Sequence, residues 1–245
     1  MSFLVSILFK APLIVLSTIF MGTISVLTSL FDADGRKQHA IARQWARMLV
    51  AIAGVSVRVS GMENIEPGAH YVFVGNHLSL FDTPVVLANI PGQFLFLVNS
   101  KYVKLPFLGT HLRRSGHFSV DAADTRASLK IMTEAARRIR ERGLSVLLFP
   151  EGSRARGEMQ EFKEGAAYIA IKSQAAVIPF ALRGTREVLP VGSLHIRGLP
   201  VDFVLGEPIR TEGMTLKDRE HLTRTMRERI EALLAQLAKD TARAA

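Results

Sequence analysis

The residues of this chain best suited to chemistry fall in two short segments. The first reads Asn76-His77-Leu78-Ser79-Leu80-Phe81-Asp82. If the chain between His77 and Asp82 turns back, the carboxylate accepts the imidazole Nδ1–H and leaves Nε2 free as a base. That pair supplies the base and its orienter from a Ser-His-Asp relay. It needs no protein nucleophile when the substrate brings its own hydroxyl. Taken alone, both residues also suit purely structural work, Asp82 as a helix N-cap.

The second segment reads Phe149-Pro150-Glu151-Gly152-Ser153-Arg154-Ala155-Arg156-Gly157. Arginine forks match phosphate oxygens, and Gly152 lets backbone N–H groups approach an anion. The Gly-x-x-x-x-Gly-Lys spacing of a Walker loop is missing. On its own this stretch also reads as a basic surface loop.

Together the two segments resemble the glycerolphosphate acyltransferase family, and in particular its members that acylate 1-acyl-glycerol-3-phosphate. The family's Asn-His-x-x-x-x-Asp motif is matched by Asn76, His77 and Asp82, and its Phe-Pro-Glu-Gly-[Ser/Thr]-Arg motif by Phe149 through Arg154. A Phe-Lys-x-Gly-Ala block is similar to Phe162, Lys163, Gly165 and Ala166. A hydrophobic strand with a Pro is similar to Val177-Ile178-Pro179-Phe180, and a Lys before Pro-x-x-Gly to Lys101 and Pro106 to Gly109. The likeness runs in order from about Val55 to Ala181. One block departs: the family's Val-Asp-Arg is here Val120-Asp121-Ala122. The missing Arg removes one expected phosphate contact, for which Arg126 is the nearby substitute.

The resemblance implies acyl transfer from acyl-CoA or acyl carrier protein to the sn-2 hydroxyl of lysophosphatidate, giving phosphatidate. The departure at Ala122 keeps a second acceptor open, a different lyso-lipid such as lyso-ornithine lipid. In the implied mechanism His77 is the general base and Asp82 fixes its tautomer. Arg154 and Lys163, with Lys101, hold the acceptor phosphate. Glu151 orients the loop or a hydroxyl, and Gly152 and Ser153 complete the substrate-binding turn. Backbone N–H groups must supply the oxyanion hole. The sequence shows no metal-ligand cluster, and no cofactor is expected beyond the acyl donor as co-substrate. Two rivals remain: a hydrolase using the same pair to activate water, and a non-catalytic lipid-binding or scaffold protein.

Elements must position these segments at strand ends, where α/β folds carry function. Val55, Val57 and Val59 alternate with polar residues as a strand, and Tyr71–Gly75 reads as a buried strand leading into His77. Further strands are expected at Phe94–Val98, Phe118–Val120, Val146–Phe149 and Val177–Leu182, with a late hairpin from His195–Ile196 and Val201–Leu205. Helical periodicity marks Asp82–Ala88, Asp124–Glu141, Gly165–Ser173 and Leu216–Lys239. Tyr102–Arg113 is helical or irregular, broken at Pro106 and Gly109. The alternation defines an α/β fold, a mixed and mostly parallel sheet flanked by helices. It is preceded by a membrane-associated helical segment.

That segment, residues 1–54, is expected to anchor a catalytic domain at 55–245. Lys10 is the one charged residue among the first 31, and none occurs from Ala11 to Phe31. A helix of that length reaches across a hydrocarbon core of roughly 30 Å. Pro12 can kink it, which leaves an in-plane placement open. Arg36, Lys37, Arg43 and Arg47 follow, so the positive-inside rule puts the rest of the chain on the cytoplasmic face of the inner membrane. A second helix, Arg36 to Ala53, either packs on the domain or lies at the interface with Trp45 at headgroup level.

Composition agrees with a lipid partner. The 245 residues carry a net charge of +9 with 48% hydrophobic side chains, and the mean hydropathy is positive. A basic surface suits an anionic partner, but aromatics at 7% leave little material for base stacking, so no nucleic-acid partner is expected. The chain has no cysteine, which excludes disulfides, thiolate nucleophiles and cysteine-ligated metals.

Overall fold

The computed structural model describes residues 2–121, 123–155 and 157–244. At the N-terminus α1 (Ser2–Val5), a π-helical turn (Ser6–Lys10) and α2 (Ala11–Thr28) run as one helix. The wide turn lies just before Pro12, which lacks an N–H and whose ring crowds the carbonyl one turn back. The strain of Pro12 is thus taken up by a local widening. α3 (Arg36–Ala53) returns alongside α2 and ends at Gly54, which takes the left-handed conformation (φ 69°).

The strands are β1 (Val57–Ser60), β2 (Val72–Gly75), β3 (Phe94–Asn99), β4 (Phe118–Val120), β5 (Ser145–Leu148), β6 (Val177–Arg183) and β7 (Val201–Leu205). They form a seven-stranded sheet in the order β1-β7-β6-β2-β5-β3-β4. Every pairing is parallel except β6 with β7. The mixed, mostly parallel sheet expected from the sequence is therefore present. The late hairpin is not: β7 pairs with β6 and β1, while His195–Ile196 is a loop. Its backbone is used elsewhere, because Ile196 C=O accepts from Ser6 Oγ at 2.8 Å and from Lys10 Nζ at 3.4 Å. Once docked on the N-terminal helix, that segment has no edge to offer.

Strand alternation divides the core. Phe73, Phe94, Phe96, Leu147, Ile178 and Phe180 point to one face, against α3 and α4 (Asp82–Asn89). Val72, Val74, Leu95, Val146 and Leu148 point to the other, against α6 (Thr125–Arg142), α7 (Gly165–Ser173) and α9 (Arg219–Ala244). Each such large side chain, fully buried, contributes roughly 1.5–3 kcal/mol. The remaining helices are α5 (Leu108–Arg114), which contains Gly109 rather than breaking at it, and the single turn α8 (Thr185–Val188).

The central strands β2 and β5 end side by side, with Val74 level with Leu148. That register brings the segment after Gly75 next to the segment after Leu148. Gly75 is required here, because a Cβ on it would lie 2.0 Å from the ring of Phe180.

Candidate active site

The segment after β2 turns tightly. Asp82, the first residue of α4, is fully buried. Its Oδ2 accepts from the backbone N–H of Leu78 at 2.7 Å and of Ser79 at 2.9 Å. The same oxygen lies 2.7 Å from His77 Nδ1. With two N–H groups already donating to it, Oδ2 acts as an acceptor, so the shared proton sits on Nδ1. Nε2 of His77 is left as a lone pair, the state required of a base. The His77 ring stacks on Phe149, with centroids 4.2 Å apart and planes 11° from parallel. Asn76 locks the loop's start by bonding both polar groups of the Leu182 backbone.

The segment after β5 is laced to the first. His77 N–H donates to Glu151 Oε1 at 2.7 Å, Gln160 N–H donates to Oε2 at 2.8 Å, and Ala155 N–H donates to His77 C=O at 2.8 Å. Burial pushes the Glu151 carboxyl up, against the two backbone donors that favour its charge. Glu151 is thus a strut between loops. Gly152 has φ +72°, and a Cβ there would lie 3.0 Å from Lys163 Nζ. Glycine at this turn therefore gives the ammonium its place as well as permitting the left-handed backbone. Ser153 Oγ donates to Gln160 Oε1 at 3.0 Å, and Arg186 holds the loop through the Ala155 and Gly157 carbonyls.

Both segments open onto one cavity of about 1150 Å³. Its wall is largely apolar and includes Ile14 of α2, Trp45 of α3 and Phe96 of β3. His77, Gly152, Ser153, Arg154, Lys163 and Lys101 all line it. The structure therefore brings every candidate site residue to one place, with Asp82 and Glu151 directly behind. The guanidinium of Arg154 has no hydrogen bond or ion pair among the described residues, and the Lys101 ammonium meets only the Tyr102 ring, 5.1 Å away. Arg126 is exposed on α6 and does not line the cavity, so it does not replace the missing arginine. Ala122, where the motif departs, and Arg156 lie outside the described residues.

Three participants were not legible in the sequence. Phe149 is in a recognised motif, but its stacking under His77 follows from strand register. Gln160 has no local signal, and it becomes important because its backbone and side chain meet Glu151 and Ser153. The N-terminal sequence reads as an anchor, yet α2 and α3 also wall the cavity. Trp45 donates its indole N–H to Thr18 of α2 at 3.1 Å.

A mostly parallel α/β sheet with a His-Asp pair and a cationic loop at adjoining strand ends fits an acyl-transfer scaffold. The Acyltransferase family model matches residues 56–183, just over half of the sequence, and the chain belongs to this family. Among its relatives, the 1-acyl-sn-glycerol-3-phosphate acyltransferase of Limnanthes douglasii is 28% identical over 170 residues, covering 69% of this chain and 60% of the plant protein. The chain thus spans less than two-thirds of that relative's length. The protein of the same description from Borreliella burgdorferi is 26% identical over 196 residues, 80% of this chain and 78% of its own. The crystal structure of the 1-acyl-sn-glycerophosphate acyltransferase PlsC from Thermotoga maritima superposes with a TM-score of 0.80 at 23% identity, covering 96% of each chain. That likeness establishes the fold.

Proposed function

We propose that this protein transfers an acyl group from acyl-CoA or acyl carrier protein to the free sn-2 hydroxyl of 1-acyl-glycerol-3-phosphate, giving phosphatidate. The observation that carries the reading is the orientation of His77. Its Nδ1 is held by Asp82 while Nε2 is left as a lone pair, in a cavity that combines apolar walls with cations. An apolar wall accepts acyl chains, and Arg154, Lys163 and Lys101 suit a phosphate.

In this scheme the acceptor hydroxyl gives its proton to His77 Nε2 as its oxygen attacks the thioester carbonyl. The tetrahedral intermediate collapses, the C–S bond breaks, and the departing thiolate takes that proton from His77. Asp82 stabilises the imidazolium that exists between the two transfers. General-base help of this kind is worth about 10²–10⁴-fold. The phosphate clamp fixes the hydroxyl against His77 and supplies orientation. Glu151 faces two backbone donors and takes no proton in the cycle.

The relatives' names support this acceptor, and the departure at Ala122 motivates a comparison. Purified protein offered lysophosphatidate and lyso-ornithine lipid side by side is expected to acylate lysophosphatidate. Faster acylation of lyso-ornithine lipid would replace the acceptor in this reading. Release of free fatty acid without transfer would make the protein a hydrolase.

The helix Phe3–Phe31 is long and apolar enough to cross a membrane, with 11% of its most apolar stretch buried. We read it instead as lying in one leaflet of the inner membrane, with the site on the cytoplasmic side where acyl donors are found. Lys10 Nζ donates to Ala53 C=O at 2.7 Å, α2 packs along α3, and Leu13, Leu16, Phe20 and Leu27 face outward. A helix pinned to its domain along its length fits an in-plane apolar face better than an upright span.

A further inference from the structure

The cavity wall includes a polar patch that the acyl-transfer scheme does not use. His39 of α3, His111 of α5 and His117 just before β4 line it, together with Ser25 of α2. The rings of His111 and His117 are 5.7 Å apart. Among the described residues no group of three His, Asp or Glu is placed to hold a metal ion.

A backbone hydrogen bond assigns the His117 proton. Phe96 N–H donates to His117 Nδ1 at 2.9 Å, so the proton of that ring is on Nε2. Gln38 Nε2 donates to Ser25 Oγ at 3.4 Å, and that hydroxyl lies 2.7 Å from His111 Nδ1. The hydroxyl has a hydrogen to give and a second lone pair to offer, so His111 Nε2 can present a lone pair or an N–H. His39 bonds the Gly92 backbone, while its Nε2 is buried without a partner. That nitrogen is closed to the cavity, so His39 adds ring surface to the wall and no ligand contact through Nε2. Burial pushes His39 and His111 down to about 4 and His117 well below its ordinary value, so the rings are neutral near neutral pH. His117 Nε2 thus offers the cavity an N–H donor and His111 Nε2 a second polar ring atom, neither with a partner among the described residues. A pure hydrocarbon chain leaves both unmet, which is costly. A hydroxyl both donates and accepts.

We propose that this histidine patch recognises a hydroxyl group carried mid-chain on a fatty acyl substrate. The inference rests on the acyl-transfer reading and adds the substrate's chain chemistry. Depth comes from strand register. Phe96, which holds His117, is level with Leu147 and through it with Phe73. Phe149, on which His77 stacks, follows Leu147 by two residues, or about 7 Å along a strand at roughly 3.3 Å per residue, and β3 lies one strand, about 5 Å, to the side of β5. The patch is therefore several carbons along the chain from the reacting carbonyl. The chain that reaches it belongs to either the acyl donor or the lysophospholipid.

The test offers the full-length protein oleoyl-CoA and ricinoleoyl-CoA with oleoyl-lysophosphatidate, then oleoyl-CoA with oleoyl- and ricinoleoyl-lysophosphatidate. Ricinoleate is oleate with one mid-chain hydroxyl. In one of the two arms kcat/KM should favour the hydroxylated chain by about 3–10-fold, the worth of one or two neutral hydrogen bonds, and that arm identifies the source. The preference should vanish in the paired variant Ser25→Ala with His111→Phe, which removes both partners of one bond. It should also vanish in His117→Phe, a second route should the first fail to fold. Binding of free ricinoleic and oleic acid by wild type is measured in parallel. Equal use of the chains in both arms, or a preference that survives in a folded variant, would overturn the site. Absence of transfer with selective ricinoleic acid binding would leave the site standing and refute the acyl-transfer reading instead.

Discussion

His77 and Glu151, separated by α4, β3, α5, β4, α6 and β5 in sequence, are joined by a 2.7 Å hydrogen bond from the His77 backbone N–H to Glu151 Oε1. The second oxygen accepts from Gln160 N–H. Two donors face two oxygens, and an amide cannot reproduce that pattern, since its NH₂ would confront an N–H. Glu151→Gln should therefore lose about 1–3 kcal/mol of local stability and lower kcat at least tenfold, although the carboxylate does no proton transfer. Rates and thermal unfolding of the same preparation check this. Full activity in Glu151→Gln would remove the strut role.

His77→Ala should lower kcat by about 10²–10⁴-fold with thermal stability retained. Asp82→Asn should lower kcat with little change in KM. Three donors converge on Oδ2 alone, so an amide oxygen can keep all three while losing the charge that stabilises the imidazolium. Asp82→Ala should also destabilise the fold, because the Leu78 and Ser79 N–H groups lose their acceptor. Activity of His77→Ala within tenfold of wild type would end the general-base assignment.

Arg154→Lys should not be conservative. A guanidinium grips two phosphate oxygens as a fork, and an ammonium does not. Loss of one charge-assisted bond, roughly 1.5–3 kcal/mol, lowers kcat/KM for lysophosphatidate by about 10–150-fold. Agreement of wild type, Arg154→Lys and Arg154→Ala within twofold would show that Arg154 is not the clamp. Equal losses on an acceptor without phosphate would show that it only supports the loop.

Acid should destabilise the chain through His39 and His111, both held down to about 4 by burial. In the unfolded chain these rings take up protons below about 6.5, whereas in the folded protein they stay neutral until about 4. Stability is thus complete above pH 6.5 and falls as pH drops toward 4, by about 3 kcal/mol per group. The melting temperature in detergent, followed from pH 7 to 4, should decline, and less steeply in His39→Leu. Identical slopes would assign acid sensitivity elsewhere.

The protein should stay with membranes through a wash in about 1 M salt, where screening reaches only ~3 Å. Its outward-facing Leu13, Leu16 and Phe20 bind by apolar burial. Quantitative release into the supernatant would show that the N-terminal helix does not insert. Fluorophores attached to cysteines placed at Leu16 and Phe20 should both be quenched by lipid-borne probes at one shallow depth, as an in-plane helix requires.

The sequence by itself determined whatever depends on neighbours along the chain. Strand alternation at Val72 to Gly75, helical spacing from Arg36 to Ala53 and from Gly165 to Ser173, and the paired motifs around His77 and Glu151 are local patterns, and local sterics and burial enforce them. Only the tertiary structure decided what lies opposite what. Register between β2 and β5 put Phe149 under the His77 ring and Glu151 behind its backbone. Crossover connections brought Lys101 and Lys163, far apart in sequence, to the same cavity. Ile196 reads locally as a strand residue, but its carbonyl is taken by Ser6 and Lys10 from the opposite end of the chain. His39, His111 and His117 carry no motif, because a histidine's role follows from the partners that burial leaves it. Those partners arrive from α2, β3 and the loop after α4, at separations no sequence period encodes.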